Sequence, residues 1–141
     1  MRYLFRGKVA DEPNEWVYGS FVNDDKIFQR KAHDGSKACD MGSFKVLPET
    51  VGACTWLKDK NDKNIFTGDI LKVTTLDTKK DRYFKVCFGK YHEEPYDCGH
   101  IGYYVELNGE CTSIMQVKQY RKLVEVVGNI YDNPELLEGE K

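Results

Sequence analysis

Apolar residues along the chain lie in short runs separated by polar turns, and the runs are rich in Tyr, Phe, Trp, Val, Ile and Thr. That is strand chemistry, since β-branched and aromatic side chains suit a pleated, half-buried surface. Trp16 to Val22 is one run, Asn23 to Lys26 a turn, and Lys26 to Arg30 the return strand. His33 to Ser36 is a loop around Asp34-Gly35, and Phe44 to Leu47 is a strand stopped by Pro48, which has no amide hydrogen to donate. The clearest hairpin runs from Thr55 to Val73 with a polar, solvated tip at Lys60 to Lys63. Gly68-Asp69 interrupts its second arm, where a glycine suits a bulge or tight bend. Further strands are predicted at Arg82 to Phe88 and Ile101 to Leu107, with Asn108-Gly109 as a two-residue hairpin turn and Cys111 to Met115 pairing back. Tyr120 to Tyr131 holds the last strand, and Asn133-Pro134 caps one helical turn through Leu137.

The expected fold is therefore mainly β. An N-terminal β-rich part covers residues 1–57, and a small barrel with a short C-terminal helical turn covers residues 58–141, in one compact unit. A chain of 141 residues can bury a core large enough to fold without staples.

Charge and cysteine usage narrow the function classes. Lys and Arg number 21 against 23 Asp and Glu, a net charge of -2, which argues against non-specific grip on a phosphate backbone. Five irregularly spaced cysteines do not make a disulfide framework. Without an apolar leader or a membrane-length apolar stretch, the expected compartment is a reducing cytoplasm.

Four stretches in order resemble the YopX family of phage and prophage proteins. They are Phe5-Arg6-Gly7-Lys8 with Trp16-Val17-Tyr18-Gly19; Pro48 to Gly52; Leu57 to Asn61 with Ile65 to Ile70; and Glu125 to Leu137. The resemblance implies a β-rich fold with an SH3-like barrel and a phage or prophage origin. It carries over no catalytic residue and no cofactor. Two departures stand out. The hairpin tip is Asn61-Asp62 where the family pattern has Asn-Gly, and Trp56 replaces a glycine. A solvent-facing Trp56 is a candidate contact residue.

Chemistry-bearing clusters are few. His92, Cys98 and His100, with Cys87 nearby, are the best metal candidate, but Cys-Gly-His is too tight for a zinc finger and no Cys-x-x-Cys exists. Asp59 to Asn64 lacks the glycine and closing glutamate of a calcium loop. Glu93, Glu94 and Asp97 form an acidic cluster of the kind that sits in water. No serine occupies a Gly-x-Ser-x-Gly elbow, and a Cys–His pair near Cys98 has no sign of an activated thiol. Metal, cofactor and catalytic residues are accordingly all expected to be none. Lys79, Lys80, Arg82 and Lys85 beside Tyr83 and Phe84, with Lys118, Tyr120, Arg121 and Lys122, would suit a nucleic-acid face if one sheet face carried them. The alternative places aromatics inward and lysines outward for solubility. The leading expectation is a non-enzymatic protein-interaction module that binds itself or a phage or host protein. A nucleic-acid-binding barrel comes second and an enzyme such as a nuclease third.

Overall fold

The computed structural model describes residues 4–22, 24–29, 42–74, 80–92 and 99–138. They form a mainly β protein with two antiparallel sheets and short helical segments, as the patterning predicts. The chain divides into two compact units, Met1–Cys54 and Thr55–Lys141. The predicted loop at His33 to Ser36 lies outside the described residues, as do Lys79, Glu93, Glu94, Asp97 and Cys98.

The first unit is a strand meander that closes into a ring. Strands β1 (Phe5–Lys8), β2 (Trp16–Val22), β3 (Lys26–Gln29) and β4 (Gly42–Lys45) pair in sequence, and the start of β5 (Gly52–Lys58) adds to the free side of β1. Asp24 supplies the left-handed residue of the β2–β3 turn at φ 64. A bridge between Val9 and Val46, with Ala10 N–H on the Lys45 carbonyl at 2.9 Å and Leu47 N–H on the Lys8 carbonyl at 2.9 Å, joins the end of β4 to the end of β1. Inside the ring sit Val17, Ile27 and Val46, with Phe5, Phe21, Phe44 and Val51 packed around them. Gly7 faces this core. A Cβ there would come within 3.2 Å of the Ile27, Val46 and Val51 side chains, so any larger residue must push these core side chains aside. Pro48 ends the extended run and opens a 3-10 turn, Pro48–Thr50. The buried Thr50 hydroxyl donates to the Leu47 carbonyl at 2.6 Å and accepts the Lys8 amide at 2.9 Å, which ties that turn to β1.

The second unit begins with the rest of β5, which pairs with β6 (Asn64–Phe66). Gly68, at φ 91, and Asp69, whose Oδ2 accepts the Phe66 amide at 2.7 Å, turn the chain sharply into β7 (Asp69–Thr74). The predicted interruption at Gly68-Asp69 thus separates two strands. Next come β8 (Asp81–His92), β9 (Gly99–Leu107), β10 (Glu110–Ser113), helix α1 (Met115–Gln119), a 3-10 turn (Arg121–Leu123), β11 (Val124–Asn129) and helix α2 (Glu135–Glu138). The sheet order is β10-β9-β8-β7-β11. Asn108 and Gly109, at φ 52 and 85, make the predicted two-residue turn. Ile65, Leu71, Val86, Val105, Ile114, Val117 and Val124 form the core.

Asp59 holds the β5–β6 tip to β11. It is fully buried, and its Oδ1 accepts the Asn61 and Lys63 amides, each at 2.9 Å. Its Oδ2 accepts the Val126 amide at 2.9 Å. Lys60 N–H adds a bond to the Val124 carbonyl at 2.9 Å. The tip at Lys60 to Lys63 is exposed, as the sequence suggested. Asp59, immediately before it, is an interior latch, while Asp62 takes the left-handed position at φ 65.

Two further expectations are corrected, and Trp56 shows a strained backbone. Residues 115–123 are helix and 3-10 turn, so Lys118, Tyr120, Arg121 and Lys122 stand on no sheet face. The Asn133 side chain does not cap α2. Its oxygen accepts the Asn129 amide at 3.2 Å, across the β11 bulge where Gly128 leaves room for it. Trp56 keeps its strand position but with φ 64, a backbone region that costs a bulky residue about 1–3 kcal/mol. The Thr55 hydroxyl straddles this kink, donating to the Ile65 carbonyl at 2.8 Å and accepting the Leu57 amide at 3.2 Å.

Two outcomes follow for stability. Asp59→Ala strips three backbone amides of their acceptor and leaves them in a partly buried corner, lowering unfolding free energy by about 3 kcal/mol, whereas Asp62→Asn, which removes the charge of an exposed ion pair and keeps a residue suited to φ 65, costs about 1 kcal/mol or less. Urea titration measures both, and an Asp59→Ala protein as stable as wild type would disprove the latch. At Trp56, Gly should be more stable than Ala by about 1 kcal/mol, the reverse of their usual order in a strand. Equal stability of the two variants would show that the left-handed backbone carries no strain.

Candidate functional site

The Asp59 latch fixes the surroundings of the basic residues. The Asp59 carbonyl accepts Arg121 Nε–H at 2.9 Å, and the other end of that guanidinium meets Asp62 Oδ1 at 2.8 Å. Helix α1 is only five residues long and buries Val117. Tyr120 N–H closes it on the Gln116 carbonyl at 3.0 Å, and Leu123 N–H then reaches back to the Tyr120 carbonyl at 2.9 Å. The result gathers Lys118, Tyr120, Arg121 and Lys122 around one surface depression together with Lys60, a residue the sequence did not connect to them.

The other basic segment does not join into one face. Arg82 pairs across from Val73 and Tyr83 from Lys72, so alternation sends Arg82 and Tyr83 to opposite sides of the sheet. Lys80 precedes the strand and Lys79 lies outside the described residues. On the outer face, Lys72 and Lys60 both meet Glu125, at 3.8 and 3.3 Å, and Lys85 meets Glu106 at 3.6 Å. These pairs place an acidic side chain beside each of the three lysines.

Beside the basic depression a half-open cavity of about 370 Å³ lies against the core. Buried Leu71, Val105, Val117 and Val124 form its depth, half-buried Val73, Phe84 and Leu123 its walls, and Thr74, Thr112, Gln116 and Tyr120 its polar margin. Strands β7 to β11 and helix α1 all contribute. Each residue is of an ordinary core or turn type, so no local sequence pattern announces the cavity.

A second feature is the length of β8 and β9. Pairing of β8 with β7 ends at Lys85, with one more bond from Gly68 N–H to the Val86 carbonyl at 2.9 Å. Pairing of β9 with β10 starts at Tyr104, with Ile114 N–H on the Tyr103 carbonyl at 3.3 Å. Beyond these points β8 and β9 pair with each other as far as His92 and Gly99, as a two-stranded arm. One face of the arm is packed, with Tyr91 stacked on Tyr104 at 4.8 Å and near His100 at 5.3 Å. The other presents Phe88, 61% exposed, edge-on to Tyr103 at 4.9 Å, and Ile101, 79% exposed. The signal in the sequence was the continued alternation from Phe88 to His92, which runs past the predicted end of the strand.

His92 and His100 stand opposite Gly99 and Tyr91, on opposite faces of this arm. Among the described residues no three His, Cys, Asp or Glu side chains gather as metal ligands. Burial pushes the Cys87 thiol up, with Lys85 pulling it down less strongly and Glu106 adding to the rise. Cys111 is raised too, first by burial and then by Glu106. Both thiols thus stay protonated near neutral pH, the opposite of an activated nucleophile. Trp56 is half exposed at its kink in β5. Among the described residues no helix is long and apolar enough to cross a membrane.

Comparison with known proteins places this architecture. Protein EF1440 from Enterococcus faecalis has a crystal structure that superposes with a TM-score of 0.59 over 97% of this chain and 99% of its own, at 24% identity. That likeness shows a shared fold. No curated sequence relative matches the chain. The model of the YopX protein family matches residues 4–138, nearly the whole sequence, and the chain therefore belongs to the YopX family.

Proposed function

We propose that this YopX-family protein is a phage or prophage accessory factor that acts in the host cytoplasm without catalysis, as a protein-interaction module. The observation that carries this reading is the β8–β9 arm. An isolated two-stranded hairpin is marginal in water, and open strand edges invite pairing with another chain. Here such an element also exposes Phe88 and Ile101 on one face. An arm of this kind gains from a partner that adds a strand and covers the apolar face. Its edge at Gly99–Gly102 carries no Lys, Arg, Asp or Glu, so a second copy can lie antiparallel to it without opposing charges. Raised thiols and separated histidines support the non-enzymatic side of the proposal. Ion-paired sheet lysines weigh against the nucleic-acid alternative.

The test is sedimentation over a wide concentration range, combined with affinity purification from lysogenic cells. Wild type should self-associate or retain a specific protein. Ile101→Lys and Phe88→Ser should lose that association while stability shifts by only about 0.5 kcal/mol, because both side chains are exposed. A wild-type chain that stays monomeric and captures nothing, or association indifferent to both substitutions, would refute the proposal.

A further inference from the structure

We infer that the cavity beneath α1 is a binding site for a small amphiphilic anion, an apolar body with a single carboxylate-like head. This inference does not rest on the β8–β9 arm. Protein cores are close-packed, and atoms lining an unfilled apolar space forfeit dispersion contacts. Leu71 and Val124, at 0% and 1% exposure, are closed to solvent at the floor of the cavity. Its volume of about 370 Å³ lies within the range of small-molecule sites.

The lining specifies the ligand. No charged residue lines the cavity, so the buried part of a ligand must be uncharged and largely apolar. Tyr120 and Leu123 line both this cavity and the neighbouring basic depression. A ligand leaving the cavity past Tyr120 therefore emerges among cations. Lys60 and Arg121 are already offset by Glu125 and Asp62. Among the described residues no acid pairs with Lys118 or Lys122, so these two remain to meet an anionic head. One apolar volume joined to one small cationic depression suits an amphiphile. An extended polynucleotide needs a longer track of cations.

Calorimetric titration of the full chain with decanoate, decan-1-ol and decyltrimethylammonium separates the two contributions. Decanoate should bind tightest and the cation weakest. In the Lys118→Glu/Lys122→Glu double variant decanoate should weaken by about tenfold, toward decan-1-ol, whose own affinity stays unchanged. Val73→Phe fills the cavity from β7 and should abolish binding of both. Should that variant not fold, amide shifts of Thr112, Val117 and Leu123 on adding decanoate to wild type locate the ligand instead. Ile101→Lys should leave decanoate binding intact, which keeps this test separate from that of the arm. The inference is overturned if decanoate shows no saturable binding, if all three probes bind equally, if amide shifts fall elsewhere, or if only an oligonucleotide engages Lys118 and Lys122.

Discussion

A single buried carboxylate organises the second unit. Burying a charge is costly unless hydrogen bonds replace its water, and Asp59 has three backbone amides to do so. Two of those amides belong to its own hairpin tip and the third to Val126, so one side chain both shapes the turn and fastens it to β11. The consequences spread outward. Lys60 is brought to Glu125, Arg121 is held on the Asp59 carbonyl, and the 3-10 turn that Arg121 opens is thereby fixed. That turn supplies Leu123 to the cavity and Lys122 to the depression. Nothing in α1 itself, at five residues, would hold this corner, because so short a helix is unstable alone.

Features whose cause is local were legible in the sequence. Asn108-Gly109, Gly68-Asp69 and Pro48 act through their own backbone preferences, and each marks a turn or strand end in the structure. Features whose cause is distant were not. Asp59 sits in a run of polar residues and gives no hint of burial, since its third partner lies 67 residues away. Helix α1 buries one side chain, too few for a helical period to show. The candidate basic residues divided the same way. Lys118 to Lys122 come together because a turn gathers them, while Arg82 and Tyr83 separate because a strand alternates.

The stretches that mark the family carry structural duties. In Phe5-Arg6-Gly7-Lys8, Phe5 packs on the ring core and Gly7 permits close approach. The Arg6 guanidinium lies 4.7 Å from the centre of the Trp16 ring, and the Lys8 amide binds Thr50. Asp59, Gly68, Asp69 and Gly128 serve equally specific needs in the later blocks. Membership in the family is therefore membership in an architecture, and these blocks say little about a partner or a ligand.

The arm and most residues lining the cavity come from residues 74–122, between the last two family blocks. There the chain departs from what stability alone would favour. It extends two strands beyond their neighbours, exposes Phe88 and Ile101, and leaves an apolar space beside a packed core. Exposed apolar side chains and an unfilled apolar space forgo burial that would otherwise stabilise the fold. Trp56 belongs in the same class, as a bulky side chain held half exposed on a left-handed backbone that a glycine would accept without strain. The Asp59 latch is separate from these departures, because the three amides its carboxylate accepts, from Asn61, Lys63 and Val126, do not line the cavity.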